Sequence, residues 1–237
     1  DAGLSLIIAT RNAPYEGDPI DRLRLVLDYA DRQFTANRPG EILVVDAGSQ
    51  VPVREVLAPR QYKHVRHLYV PREVCETIAS PFSEVHLLNC AARCARFSYV
   101  GRIDQDTIPG SRFFGWFYTQ VLQDLKPMSY FSTRRDLPQG WQKLTDAVYN
   151  APLDFPRWWQ CAVGILLVPR AIWYSVQGYN EAMAQRNHME HDFIFRLRRW
   201  SGLEHVSALL DSDFYHIWHT QSRIGAENAC PTLEQLQ

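Results

Sequence analysis

The sequence predicts an α/β fold in which a mostly parallel central sheet is flanked by helices. Short apolar segments typical of buried strands alternate with segments of helical periodicity through the first half of the 237-residue chain. Several of the apolar segments end in polar or acidic residues, as strands do when they carry side chains to one edge of a parallel sheet. The composition shows no break and no internal repeat, so we expect one domain with one large core.

The first strand and the first helix are each marked by a local signal. Residues 4–9 form a short apolar run that ends in the polar Thr10, Arg11 and Asn12. Asp18 and Pro19 then form an N-cap and first-turn pair. Apolar residues at helical spacing follow, which predicts a helix through Ile20, Leu23, Val26, Leu27 and Ala30.

Two more strands and a second helix continue the alternation. Residues 41–46 form a strand that closes on the small residues 47–49, and residues 65–70 form the next strand. Ser80 and Pro81 are expected to start a helix with apolar residues on one face, namely Val85, Leu88, Ala92 and Ala95.

The most informative segment is residues 99–106, an apolar-leaning run that ends on Asp104 and Asp106. Alternate side chains of a strand share a face, so the two carboxylates can point the same way where the strand meets its loop. Facing carboxylates suit a hard divalent cation that also binds phosphate oxygens. The segment therefore predicts a metal–diphosphate site.

Ligands of open α/β sheets bind at the carboxyl ends of the strands. Residues 10–12, Asp46 and residues 104–106 would meet there and form one site. No GxGxxG motif follows the first strand, which disfavours an ordinary dinucleotide-binding domain.

The second half of the chain is less regular. Beyond residue 111 tryptophans are scattered among Pro and Arg, and their rings either stack on sugars or pack in the core: Trp116, Trp141, Trp158 and Trp159. Residues 162–168 predict another buried strand, and residues 190–200 a helix rich in Phe and Arg.

Composition limits the partners. A net charge of −1 gives no electrostatic footprint for nucleic acid or an anionic membrane surface, so we expect small-molecule partners. No apolar run approaches the roughly 20 residues that span a bilayer, and the N-terminus lacks signal-peptide features. We expect a cytoplasmic protein or one at the cytoplasmic face of a membrane. The chain can also be an excised domain of a larger protein. The five cysteines are an odd, scattered set that predicts reduced thiols.

The order of these segments resembles the family 2 glycosyltransferases, which have the GT-A fold, over nearly the whole chain. Residues 6–12 resemble the family's opening strand, and residues 45–49 resemble its Val-Asp-Asp-Gly-Ser signature. Residues 104–106 match its Asp-x-Asp metal motif, and Asn89 stands where the family has an asparagine. Later segments resemble its Gly-Gly-Phe-Asp-Glu motif, its Glu-Asp helix and its His-rich strand end: residues 178–181, 189–199 and 216–219.

The resemblance implies a single GT-A catalytic domain over residues 1–237, with a nucleotide-sugar-binding half (1–110) and an acceptor-binding, catalytic half (111–237) that holds a smaller antiparallel part. It implies a metal-dependent, inverting transferase that moves a hexosyl or pentosyl group from a nucleotide-diphosphate donor to a hydroxyl of a glycan or other acceptor, as in polysaccharide biosynthesis. The implied donor-binding residues are Ala9, Thr10, Arg11, Asn12, Asp46, Asn89, Arg102, Asp104 and Gln105.

The resemblance also implies a metal and a base. Mn²⁺ or Mg²⁺ would be bound by Asp104, Asp106, His216 and His219. Alignment on the arginines that follow places the catalytic carboxylate at Glu190, with His191 as the fallback base and Asp192 beside them. Ala47 replaces the second aspartate of Val-Asp-Asp-Gly-Ser, which meets the nucleotide base in the family, so guanine and thymine stand beside uracil as candidate bases.

Each motif also has a purely structural interpretation. Asp104 and Asp106 can be solvated carboxylates of a turn, His216 and His219 can pack at a sheet end, and acidic residues at 190–192 can cap a helix. The arginines at 196, 198 and 199 can form a solvated helix face. The alternative functions are a catalytically silent sugar-binding domain and a sugar-1-phosphate nucleotidyltransferase, although the latter usually has a glycine-rich loop after its first strand.

Overall fold

A computed structural model describes residues 1–13, 18–78, 82–124, 127–137, 163–183, 189–201, 206–209, 213–217 and 219. These residues form ten strands in two sheets. The strands are β1 (Leu4–Thr10), β2 (Gly40–Ala47), β3 (Val65–Val70), β4 (Tyr99–Arg102), β5 (Thr107–Pro109), β6 (Ser129–Thr133), β7 (Arg135–Asp136), β8 (Val163–Pro169), β9 (Val206–Leu209) and β10 (Phe214–His216).

The described helices cover both faces of the larger sheet. They are α1 (Pro19–Ala30), α2 (Val53–Leu57), α3 (Arg72–Glu76), α4 (Glu84–Cys94), α5 (Ser111–Trp116), α6 (Arg170–Ser175) and α7 (Met189–Ser201). A π-helical turn (Phe117–Val121) extends α5, and short 3₁₀ turns span Asp31–Gln33 and Ala58–Arg60.

The central sheet has seven strands in the order β3-β2-β1-β4-β8-β6-β9. The first four strands pair in parallel, β8 runs antiparallel to both of its neighbours, and β9 pairs in parallel with β6. The prediction of a mostly parallel sheet covered on both faces is therefore confirmed.

Burial explains why β1 is an unbroken apolar run. Every residue of β1 is buried, because helices cover the sheet on both sides. Leu4, Leu6 and Ile8 pack into one core with α1 and α5, whereas Ile7 and Ala9 pack into a second core with α4, α6 and α7.

The predicted start of the first helix is confirmed. The Asp18 carboxylate accepts hydrogen bonds from the backbone N–H groups of Ile20 and Asp21, and Pro19 occupies the first turn. The helix turns its apolar stripe inward, so the five residues that the spacing selected are all buried, together with Pro19 and Arg22.

A smaller three-stranded sheet stands beside the central one, in the order β5-β10-β7. β10 pairs antiparallel with β5 and parallel with β7, which brings His216 opposite Thr107 on one side and Asp136 on the other. Residues 103–106, which follow β4, lead directly into this sheet at β5.

Two predicted elements differ in extent. β4 ends at Arg102 rather than continuing to Asp106, because the N–H of Thr107 donates to the carbonyl of Asp104 at 3.1 Å and closes a turn. α4 begins at Glu84, and the predicted start at residues 80–81 lies outside the described residues. Three of the four scattered tryptophans, at 141, 158 and 159, also lie outside them, whereas Trp116 packs its ring edge-on against Tyr130 at 4.9 Å.

In the part of the chain that the structure describes, no helix combines the length and the apolar character needed to cross a bilayer.

We predict that Asp18→Ala lowers the free energy of unfolding by about 1 kcal/mol, because two N–H groups at the start of α1 lose their acceptor. Urea unfolding followed by circular dichroism measures the change. Glu76→Gln is the control, because it removes only the exposed ion pair between Arg72 and Glu76. Equal stabilities for Asp18→Ala and the unmodified protein would contradict the capping role.

Candidate active site

The carboxyl ends of β1, β2 and β4 meet at one edge of the central sheet. Thr10 pairs with Asp46 across the parallel ladder, and Arg102 at the end of β4 pairs with Ile7. The Thr10 hydroxyl donates to Oε1 of Gln105 at 2.5 Å, which links the end of β1 to the turn after β4. The predicted convergence of these strand ends is therefore present.

One cluster at this edge consists of Asp106, His216 and His219. Oδ2 of Asp106 lies 3.2 Å from Nε2 of His219 and 3.7 Å from Nε2 of His216, and the two Nε2 atoms are 3.2 Å apart. The small sheet fixes this arrangement, because the N–H of Ile217 donates to the Asp106 carbonyl at 2.8 Å.

Asp136 orients one of these histidines. Its Oδ1 lies 2.7 Å from Nδ1 of His216, which leaves Nε2 of His216 facing Asp106. Burial would lower the pKa of His216, but hydrogen bonds to Asp106 and Asp136 raise it. Burial would raise the pKa of Asp106, but hydrogen bonds from His216 and His219 hold it far below its usual range.

The donor set fits a divalent cation. A carboxylate oxygen and one nitrogen from each imidazole lie within 4.8 Å of one another. Oδ1 of Asp106 is buried and has no hydrogen-bond partner among the described residues. A carboxylate behind a histidine is typical of metal sites, and imidazole ligands favour Mn²⁺ over Mg²⁺.

Asp104 lies apart from this cluster. Its Oδ1 is 2.6 Å from Nη2 of Arg102, and its Oδ2 is 2.9 Å from Nη1 of Arg134. The turn after β4 breaks the strand alternation and sends the two aspartates to different partners. The structure therefore does not bring Asp104 together with Asp106, His216 and His219.

A second cluster, which we call the Arg102 cluster, consists of Arg102 with Asp104, Glu84 and Glu190. The Arg102 side chain is only 4% exposed, and its Nη2 lies 2.7 Å from Oε1 of Glu84 and 3.1 Å from Oε1 of Glu190. Burial would lower the pKa of Arg102, but the carboxylates of Asp104, Glu84 and Glu190 raise it well above its usual value.

The base predicted on α7 sits in this second cluster. Burial raises the pKa of Glu190, Arg102 opposes that rise, and the charges of Glu84 and Asp104 add to it. A buried carboxylate with a raised pKa is suited to accept a proton near neutral pH.

The neighbours of Glu190 on α7 have other surroundings. His191 is exposed. Asp192 pairs with Arg196, whose Nη1 donates to the carbonyl of Val176 at 2.6 Å. Arg196 therefore links α7 to the preceding loop, while the guanidinium of Arg198 stands 5.6 Å from the Phe131 ring and Arg199 is exposed.

Asp46 holds the loop after β2. Its Oδ1 accepts hydrogen bonds from the N–H and the hydroxyl of Ser49, and its Oδ2 accepts from the N–H of Val53 at 2.8 Å. The Ser49 hydroxyl in turn accepts from the N–H of Asn12 at 2.7 Å. Ala9 is buried and Arg11 is half-buried beside this loop, and their predicted contacts with a donor stay predictions.

Asn89 joins α4 to the loop that precedes α7. Its Oδ1 accepts from the N–H of Tyr179 at 2.8 Å, and its Nδ2 donates to the Tyr179 carbonyl and to Glu181. Gly178 has a φ of +66°, and a Cβ there would lie 2.3 Å from Oδ1 of Asn89. The structure thus gives Asn89 a clamping role, and its predicted donor contact stays a prediction.

Three site residues carry no signal in the sequence: Glu84, Arg134 and Asp136. Glu84 opens α4, and its acidic character is ordinary in a first helical turn. Asp136 reaches the site because β7 pairs with β10, and Arg134 lies directly before β7. Each depends on strand and helix placement that no local motif encodes.

No protein-family model and no curated protein matches the sequence. Solved structures of Staphylococcus aureus TarS do match. TarS 1-349 in complex with UDP-GlcNAc gives a TM-score of 0.61 at 11% identity, covering 97% of this chain and 62% of the TarS chain. TarS 1-349 alone gives a TM-score of 0.58 at 13% identity, and its complex with UDP gives 0.56 at 13% identity. Each match covers 91% of this chain and 60% of the TarS 1-349 chain.

These likenesses, with the strand order, define the class: the fold is a GT-A-like glycosyltransferase fold. The predicted fold class is confirmed. The chain spans about 60% of the length of these TarS chains.

We predict that a nucleoside diphosphate binds only together with a divalent cation, because the Asp106 carboxylate, one oxygen of which has no partner among the described residues, repels phosphate unless a cation lies between them. In calorimetry with Mn²⁺ and a nucleoside diphosphate, EDTA should abolish binding. Asp106→Ala should do the same and should also remove Mn²⁺ binding seen by electron paramagnetic resonance. Asp21→Ala, an exposed change on α1, is the control. Undiminished affinity in EDTA would contradict the metal assignment.

Proposed function

We propose that this protein is a metal-dependent, inverting glycosyltransferase. It transfers a hexosyl or pentosyl group from a nucleotide-diphosphate donor to a hydroxyl group of a glycan or other acceptor. One observation carries the proposal. At the carboxyl edge of a GT-A-like sheet, a candidate cation site and a buried carboxylate with a raised pKa are present in separate clusters.

The two clusters match the two needs of glycosyl transfer. Departure of a nucleoside diphosphate requires neutralisation of its charge, and attack by a hydroxyl requires a base. Asp106, His216 and His219 would hold Mn²⁺ or Mg²⁺, which would supply that neutralisation. Glu190 would be the base. It lies on α7, in the Arg102 cluster and not in the candidate cation cluster.

The chemical step is a displacement at the anomeric carbon. Glu190 accepts the proton of the acceptor hydroxyl while the acceptor oxygen bonds to the anomeric carbon and the bond from that carbon to the diphosphate oxygen breaks. Attack in line with the departing group inverts the configuration. The side chain of Glu190 is 18% exposed, so the carboxylate is desolvated yet accessible.

Three features support a donor site at the carboxyl ends of β1, β2 and β4. Thr10 and Asn12 are fixed there by hydrogen bonds to Gln105 and Ser49, and Asp104 is held by two arginines. Such a rigid polar edge suits a ribose and a diphosphate. TarS, whose fold is similar, has been solved with UDP-GlcNAc and with UDP, which supports a nucleotide-sugar donor for this chain.

We predict that Glu190→Gln lowers kcat by about a hundredfold or more while the donor Kd stays nearly unchanged, because glutamine cannot accept the proton. Turnover is measured by product formation and Kd by calorimetry with Mn²⁺. Near-normal turnover in Glu190→Gln with loss in His191→Ala or Asp192→Asn would place the base at a neighbour. Activity in all three variants would overturn the catalytic interpretation of α7.

The proposal is tested most broadly with a panel of UDP, GDP and dTDP sugars, screened with Mn²⁺ for hydrolysis and transfer. We expect turnover of at least one donor and no more than about a tenfold preference for uracil over the other bases. Ala47 provides no carboxylate for the base, and both oxygens of neighbouring Asp46 accept internal hydrogen bonds. A strict UDP requirement would contradict the base prediction, and inertness towards every donor would contradict the function.

A further inference from the structure

We propose that Glu84 is a positioning residue that keeps the Glu190 carboxylate available to the acceptor hydroxyl by occupying Arg102. The inference rests on the proposed function and names a residue outside the motifs that led to it. It follows from the competition of three carboxylates for one guanidinium nitrogen.

The competition is visible in the distances. Nη2 of Arg102 carries two hydrogens. Three carboxylate oxygens surround it, at 2.6 Å for Asp104, 2.7 Å for Glu84 and 3.1 Å for Glu190. The Glu84 contact is a hydrogen bond and the Glu190 contact is the longest of the three, so Glu190 is the oxygen held least tightly.

The balance of charges around Arg102 also indicates that Glu190 is weakly paired. Among the described residues of this cluster, two guanidinium groups, those of Arg102 and Arg134, face the three carboxylates of Asp104, Glu84 and Glu190. The carboxylates therefore outnumber the cations by one in that set. The Tyr179 hydroxyl, whose pKa burial raises well above its usual value, lies in the same field. In the described part of the chain neither that hydroxyl nor Nε of Arg102 has a hydrogen-bond partner.

The cluster is therefore built so that one carboxylate stays weakly paired. Without the charge of Glu84, Arg102 would draw in the next acceptor, which is Glu190. A carboxylate that receives a short bond from a guanidinium is a weaker base and turns less readily towards a substrate. Glu84 prevents this from α4, far along the chain from either partner.

The test uses Glu84→Gln, which keeps the shape and removes the charge, with Glu84→Asp as the variant that keeps the charge. We expect Glu84→Gln to lower kcat by about tenfold while the donor KM changes by less than about twofold. Glu84→Asp should retain more of the turnover than Glu84→Gln. A residue that only stabilised the fold would not separate kcat from KM in this way.

Glu41→Gln is the matched control. Glu41 is also a buried carboxylate paired with an arginine, Arg66, but it lies at the start of β2, at the opposite edge of the sheet. We expect Glu41→Gln to lower Tm and to leave kcat and KM unchanged. Glu84→Gln should instead have its main effect on kcat, with a smaller change in Tm than Glu41→Gln.

A crystal structure of Glu84→Gln gives a readout that needs no turnover. We expect the distance between Nη2 of Arg102 and Oε1 of Glu190 to shorten from 3.1 Å to about 2.8 Å, the length of a charge-assisted hydrogen bond. Shortening in a protein without transferase activity would uphold the role of Glu84 and overturn the proposed function. An unchanged distance, or wild-type kcat in Glu84→Gln, would overturn the role of Glu84.

Discussion

The buried guanidinium of Arg102 is the interaction on which the rest of the candidate site depends. It holds one carboxylate from the turn after β4, one from α4 and one from α7. Removing the Arg102 guanidinium would cost roughly 3–5 kcal/mol, because the carboxylates left behind have lost their water as well as their counter-ion, whereas loss of one carboxylate leaves Arg102 paired with the others. Arg102 thus fixes how two helices approach the carboxyl edge of the sheet, and through them where Glu190 stands.

The turn after β4 divides the chemistry between two supports. Asp104 turns towards Arg102 and Arg134 on the side of the central sheet, whereas Asp106 turns towards the histidines held by the small sheet. A strand that ran on to Asp106 would have placed both carboxylates on one face. Because a turn closes at Thr107 instead, Asp106 belongs to the candidate cation cluster and Asp104 belongs to the Arg102 cluster. The proposed glycosyl transfer would use these two clusters for different tasks.

The sequence predicted the parts of the fold that depend on local pattern. The unbroken apolar run of β1 and the capping pair before α1 reflect burial and hydrogen bonding within a few residues, and both are confirmed. The predicted end of β4 was wrong, because the alternation of apolar and polar residues does not indicate the turn hydrogen bond between Thr107 and Asp104. Glu84 and Asp136 could not be predicted, since each meets its partner through helix and strand placement across 18 and 80 residues.

An anomalous-difference map of crystals that contain the protein with Mn²⁺ and a nucleoside diphosphate tests most directly where the cation binds. We expect one manganese peak within bonding distance of Asp106, His216 and His219, with Glu190 still beside Arg102 and not bound to metal. A manganese peak among Glu84, Asp104 and Glu190, with none at the histidines, would contradict it.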